Sequence, residues 1–171
     1  MSDAPERGGR EPARNAWPDP VQKLIAMGRL REQPAQLEQV AAVWRKAVES
    51  AGDAALAGMS IDGSLRAAYD AGHLAALALL AAHGLRPGGG QGHHEAAFAG
   101  AAALGYEELA DLVPDSMEVR GLRKGSMYDP VIAGPAERGL ALAWIRRTLP
   151  AIHRALLQVD PDLAPMLLSH S

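Results

Sequence analysis

Residues 62–83 carry apolar side chains at every turn of a helix, and residues 74–82 are apolar without a break. A helix that is apolar all round has no face to give to solvent, so it belongs at the centre of the molecule. Gly84 follows, and a glycine just past the last periodic residue supplies the left-handed residue that closes a helix. Alanine makes up much of the run, which lets neighbouring helices approach closely. The apolar run is far short of the ~20 residues a membrane span needs, so no membrane is expected. The rest of the chain must wrap this helix.

The flanking segments keep a helical period. Leu24, Ala26, Met27 and Leu30 predict a short first helix behind Pro18, Asp19 and Pro20. Pro34 suits the first turn of a second helix, which carries Leu37, Val40, Ala41, Trp44, Ala47 and Val48 on one face. Residues 50–59 read as a further helical turn or as a connector. Helices are expected at 93–104 and at 106–124, the latter interrupted by Pro114. A turn around Tyr128, Asp129 and Pro130 precedes a last helix over 135–158, which Pro150 should bend. No segment sustains a period of two. The expected fold is all-α, with a helical domain over residues 21–160 between a flexible tail (1–20) and a short extension (161–171).

Composition removes several functions from this frame. The 171 residues contain no cysteine, which excludes disulfides, thiolate metal sites and cysteine nucleophiles. The formal charge of −3 gives no global basic field for nucleic acid. No apolar stretch follows Met1, so no secretory signal is expected and the predicted location is cytoplasmic. No metal and no cofactor are expected. Gly88, Gly89, Gly90 and Gly92 lack both the Lys–Ser/Thr pair and the preceding strand of a phosphate loop, and read as a connector. His93, His94 and Glu95 lack a histidine one turn on, and neighbouring helical residues point about 100° apart, so they read as helix-start residues at a solvent boundary.

Two groups are candidates for chemistry. Arg66, Asp70 and His73 share one stripe of the central helix, either as an intrahelical polar ladder or as part of a site. Arg120, Arg123, Lys124 and Tyr128 cluster at the end of a later helix. An arginine pair clamps phosphate well, because the guanidinium fork matches its oxygens. The alternative is a solvated basic helix end favoured by the macrodipole. Arg138, Arg146, Arg147 and Arg154 add a basic face to the last helix.

The order of these features resembles one family. Ala67, Ala68, Tyr69, Asp70 and Ala71 open an alanine-rich helix that ends in Ala82, His83, Gly84, Leu85 and Arg86. A glycine loop with Gly92 and His93 follows, then an Arg–x–x–Arg cluster leading to Tyr128 and Pro130, then a long Ala/Leu helix. The segment from Lys23 to Leu30 and the Trp44 helix fit the same pattern. The set resembles the HEPN domain superfamily, in the prokaryotic branch whose motif reads Arg–x–x–Arg–Asn–x–x–x–Tyr.

That resemblance implies an up-and-down bundle of four to five main helices, pairing as a homodimer near Arg123 and Tyr128. It implies a toxin–antitoxin or antiphage setting, with a nucleotidyltransferase or antitoxin partner. Many such proteins are metal-independent ribonucleases whose signature is an arginine and, four to six residues on, a histidine. Here Arg123 matches the arginine, Tyr128 stands in the histidine's place, and Lys124 replaces the usual Asn or Asp. Tyrosine titrates near 10 and is a poor base at pH 7. The expectation is therefore a non-catalytic module that binds RNA, a nucleotide or a protein partner through Arg66, Asp70, Arg120, Arg123, Lys124 and Tyr128. Asp70 should pair with Arg120 or Arg123 and Tyr128 should pack over the pair, while His94 should lie outside. The alternative is an active ribonuclease using Arg123 with His73 or Tyr128, and the blandest reading is a ligand-free helical interaction protein.

Overall fold

Val21, Val40, Trp44, Leu65, Leu79, Leu80, Ile152 and Leu156 form one continuous buried cluster, and the helices are arranged around it. The computed structural model describes residues 17–89, 92–128 and 133–167, with the backbone only for 124–128. Its helices are α1 (Asp19–Ala26), α2 (Leu37–Ala55), α3 (Ile61–Ala82), α4 (His93–Ala103), α5 (Leu112–Tyr128), α6 (Pro135–Val159) and α7 (Ala164–Leu167). The fold is an all-α bundle. No helix among the described residues is long and apolar enough to cross a membrane.

The central helix forms as its sequence requires. Ser60 caps α3 by accepting a hydrogen bond from the Gly63 backbone N–H. Gly84 follows at φ +74, in the left-handed region that favours glycine. Thirteen α3 side chains between Ser64 and Ala82 are buried, so its neighbours must sit on all sides. Gly72 allows the closest approach: a Cβ there would run into the Trp144 ring of α6.

Pairings along the helices fix their directions. Arg138, near the start of α6, donates to Ser64 Oγ near the start of α3, and Trp144 meets Gly72 further on. So α6 and α3 run the same way. Asp115 at the start of α5 meets Arg147, while Arg123 near its end meets Asp70, so α5 runs against both. Trp44 of α2 stacks on His153 and the end of α2 meets Arg138, which makes α2 antiparallel too. The main helices alternate in direction as α2, α3, α5 and α6.

Two details differ from the sequence expectation: a small ribbon forms, and Pro114 starts a helix rather than interrupting one. Residues Leu30–Glu32 and Leu85–Pro87 form a small antiparallel ribbon, β1 and β2, with Arg31 opposite Arg86. Three residues per strand are too few to show a period of two. Pro114 sits in the first turn of α5, where a missing N–H costs nothing, and a single 3₁₀ turn (Glu107–Leu109) precedes it. Trp17 is half-buried: its Nε1 donates to Glu32 and its ring lies edge-on to His83. The segment after α6 packs back, with Leu163 fully buried. Residues 1–16, most of the expected tail, lie outside the described residues, as do Asp129 and Pro130 of the expected turn.

Candidate functional site

Three helices bring their polar side chains to one place. From α3 come Tyr69, Asp70 and His73, at spacings that share a stripe. The first turns of α4 add His93, His94, Glu95 and Phe98. One turn apart on α5, Arg120 and Arg123 complete the set. Gly92 turns the chain into α4 at φ +84, which places both neighbouring histidines against α3.

The arginines are held by carboxylates. Arg123 Nη1 lies 3.9 Å from Asp70 Oδ1, and its guanidinium sits 5.2 Å over the centre of the Tyr69 ring. Such a cation over an aromatic face gains from the ring quadrupole. Arg120 pairs with Glu95. These four side chains are part-exposed, so the ion pairs are weak as stabilising contacts and open to exchange. Two arginines against two carboxylates leave no net charge.

Beside the ion pairs runs a column of rings. His93 and His94 have centroids 4.3 Å apart, and His94 and His73 are 4.0 Å apart. Phe98 closes the inner end, 5.9 Å from His73 and 6.2 Å from Trp144. Tyr69 joins the column to the arginines, at 6.2 Å from His94 and 5.5 Å from Phe98. His93, at the outer end, is exposed.

Burial sets the protonation of this group. It is the main force holding the His73 pKa down at about 4, and positive charge on His94 and His93 adds to it. Burial also lowers His94, helped by His93, Arg123 and Arg120 and opposed by Asp70. Tyr69 is pushed up, because burial outweighs the two arginines. At neutral pH His73 and His94 are therefore uncharged rings. Three buried nitrogens lack a hydrogen-bond partner among the described residues: His73 Nε2, His94 Nδ1 and Trp144 Nε1. The rings of His73 and Trp144 both pack on Phe98. Such orphans are uncommon in folded proteins, where more than nine in ten buried polar groups are paired.

Several sequence expectations change here. Asp70 and Arg123 do meet, but Arg120 turns to Glu95. His94, expected to lie outside the site, stacks within it. His93 and Glu95 are exposed, as expected of helix-start residues at a solvent boundary, while His73 reaches both histidines from α3. No cluster of the described residues is arranged to hold a metal ion. Arg66 is exposed and takes no part in the ion pairs among the described residues. Tyr69, not among the candidate site residues, lies beneath the guanidinium. The side chains of Lys124 and Tyr128 lie outside the described residues. The basic face of α6 is dispersed: Arg138 binds Ser64 and the Leu56 carbonyl, Arg147 pairs with Asp115, and Arg154 forks onto Glu108.

Fold and site together define a helical-bundle protein with a part-exposed arginine–histidine cluster. No protein-family model, no curated protein and no solved structure matches the chain.

Proposed function

We propose that the protein is an HEPN-like module that binds RNA or a nucleotide through its phosphate, at Arg120 and Arg123. The observation that carries this reading is the convergence of two part-exposed arginines with a tyrosine and three histidines on one face. Guanidinium groups donate several hydrogen bonds to phosphate in a fixed fork. The carboxylates orient them and are exchanged for the ligand, which lowers raw affinity. A homodimer, a toxin–antitoxin or antiphage setting and a nucleotidyltransferase or antitoxin partner enter this reading through the resemblance alone.

A second reading, metal-independent RNA cleavage, is favoured by one feature. In this reading His94, close enough to Arg123 to feel its charge, takes the part of the histidine that is missing after Arg123 in sequence. An imidazole that is neutral at pH 7 can take a proton from a 2′-hydroxyl.

Fluorescence anisotropy with a labelled oligouridylate separates the readings. The binding reading predicts saturable, salt-sensitive binding with the RNA intact, lost in Arg123→Ala and kept in Arg146→Ala, an exposed arginine elsewhere on α6. Cleavage that disappears in His94→Ala establishes the second reading instead. Binding unaffected by Arg123→Ala contradicts both.

A further inference from the structure

The arginines of this chain fall into two groups. Arg120, Arg123, Arg147 and Arg154 each meet a carboxylate, and Arg138 holds Ser64 and the Leu56 carbonyl. Arg29, Arg31 and Arg86 have no ion pair and no side-chain hydrogen bond among the described residues. They meet at the β1–β2 ribbon. Arg31 and Arg86 stand directly opposite one another across the strands, and both are exposed. The Gly88 N–H donates to the Arg29 carbonyl at 2.8 Å, which carries the ladder one residue past β1. Strand alternation then sets Arg29 and Arg31 on one face, with Arg86 beside them.

That face is costly as architecture. Its other positions are Gln33, Gly84 and Gly88, so it bears three cations and no carboxylate. Glu32 belongs to the opposite face, where its carboxylate accepts from Trp17 Nε1 and Trp17 lies edge-on to His83. Like charges directly opposite in a sheet destabilise it, yet none of the described carboxylates answers them in a chain with 20 acidic residues. Gly88 keeps the face bare beside Arg29, since a Cβ there would run into the Gly28 carbonyl oxygen.

Spacing and chemistry point to the ligand. Opposed residues of a hydrogen-bonded pair lie about 5.5 Å apart, and residues two apart on a strand about 6.6 Å. Cations at these separations suit successive phosphates of an extended strand, and the guanidinium fork fits phosphate oxygens. The face has no apolar side chain to enter a bilayer. We infer that the outer face of the β1–β2 ribbon holds backbone phosphates of the same single-stranded RNA that is bound at Arg120 and Arg123. This rests on the phosphate-binding reading and extends it to a second stretch of the strand. The chain from Pro87 to His93, where α4 begins, reaches at most about 22 Å, a distance that several nucleotides span. Positive charge that tracks the backbone is how proteins hold single strands without reading sequence.

The test is the anisotropy of a labelled oligouridylate on the full chain at several salt concentrations. The ribbon variant, Arg31→Gln with Arg86→Gln, is expected to weaken binding about tenfold. It should also flatten the slope of log affinity against log salt by about 1.4, at about 0.7 for each phosphate contact. Arg31→Lys with Arg86→Lys keeps the charge and should keep the slope. Arg45→Gln with Arg146→Gln, exposed positions on α2 and α6, changes the net charge equally and should behave as the parent protein. The ribbon variant should melt no lower than the parent, because it relieves a like-charge contact. An unchanged slope in the ribbon variant, an equal loss in the Arg45/Arg146 variant, or a ribbon variant that melts below the parent overturns the inference and leaves the Arg120/Arg123 reading standing. Binding to phosphatidylglycerol vesicles that the ribbon variant loses, with RNA binding unchanged, overturns it in favour of a lipid surface. If Arg123→Ala binds RNA as the parent does, or the parent binds none, the phosphate-binding reading itself falls.

Discussion

His73 and His83 belong to the same helix region, and burial lowers the pKa of each to about 4. Their surroundings differ. His83 closes α3 and its Nε2 meets the Tyr106 hydroxyl at 3.0 Å, with Trp17 edge-on beside it. Nothing but burial lowers its pKa, and its polar atom has a partner. That is how a fold accommodates a buried histidine. His73 has an Nε2 with no partner among the described residues and two further histidine rings at its face. One histidine ties a helix end to a loop. The other belongs to an arrangement that stability alone does not account for, and such arrangements concentrate at functional sites.

The largest effect that bears on this contrast comes from the wall the cluster rests on. Phe98 touches Tyr69, His73 and Trp144 and is 1% exposed, so Phe98→Ala should cost about 3–5 kcal/mol in a denaturant titration. A small loss would mean that the ring column is not anchored in the core.

Acid comes next. Both histidines are neutral in the folded state down to about pH 4 and near 6.5 when unfolded. Above pH 6.5 neither state takes up the proton and native stability is complete. As pH falls from 6.5 towards 4 the unfolded chain protonates first, so stability is lost through that window. Each histidine accounts for about 3 kcal/mol of that loss. Thermal melts between pH 7 and 4 measure it. The slope should flatten in His73→Leu and in His83→Leu alike, because here the two regions behave the same.

Substitution at pH 7 separates them. His83→Leu strands the Tyr106 hydroxyl and should cost about 1–3 kcal/mol, whereas His73→Leu removes a group with no partner among the described residues and should be near neutral or stabilising. Equal losses at both positions would erase the distinction. The smallest expected effect is on ligand affinity. Asp70 and His73 on α3, His93 and Glu95 on α4, and Arg120 and Arg123 on α5 surround His94. Burial holds the His94 pKa below the usual imidazole range, and protonating the ring adds a positive charge to a neutral group, so acidification through that step should tighten the binding of an anion whose own charge does not change with pH, such as sulfate. Isothermal calorimetry across an acid titration reads this directly.

The sequence made the bundle visible because helical period and caps are local properties. The apolar run of α3, Gly84 after its end and the last long helix over 135–158 can all be read along the chain. The β1–β2 ribbon could not, since three-residue strands leave no pattern and their pairing joins residues far apart. The site was half legible. Asp70, His73, Arg120 and Arg123 stood out as charged or titratable groups on helix stripes. The geometry of α4 alone points the neighbouring His93 and His94 apart and says nothing of a third ring arriving from α3. Tyr69 and Phe98 gave no signal, because an aromatic residue within an alanine-rich helix reads as core. Only tertiary packing shows which stripes face one another.

Imidazole ¹H–¹⁵N spectra of the full chain, recorded during titration with an oligouridylate at pH 7, test the contrast between the two regions most directly. The account predicts that the resonances of His73, His93 and His94 move with RNA while those of His83 stay in place. Saturable binding that leaves the three clustered histidines unmoved, or that shifts His83 instead, would contradict it.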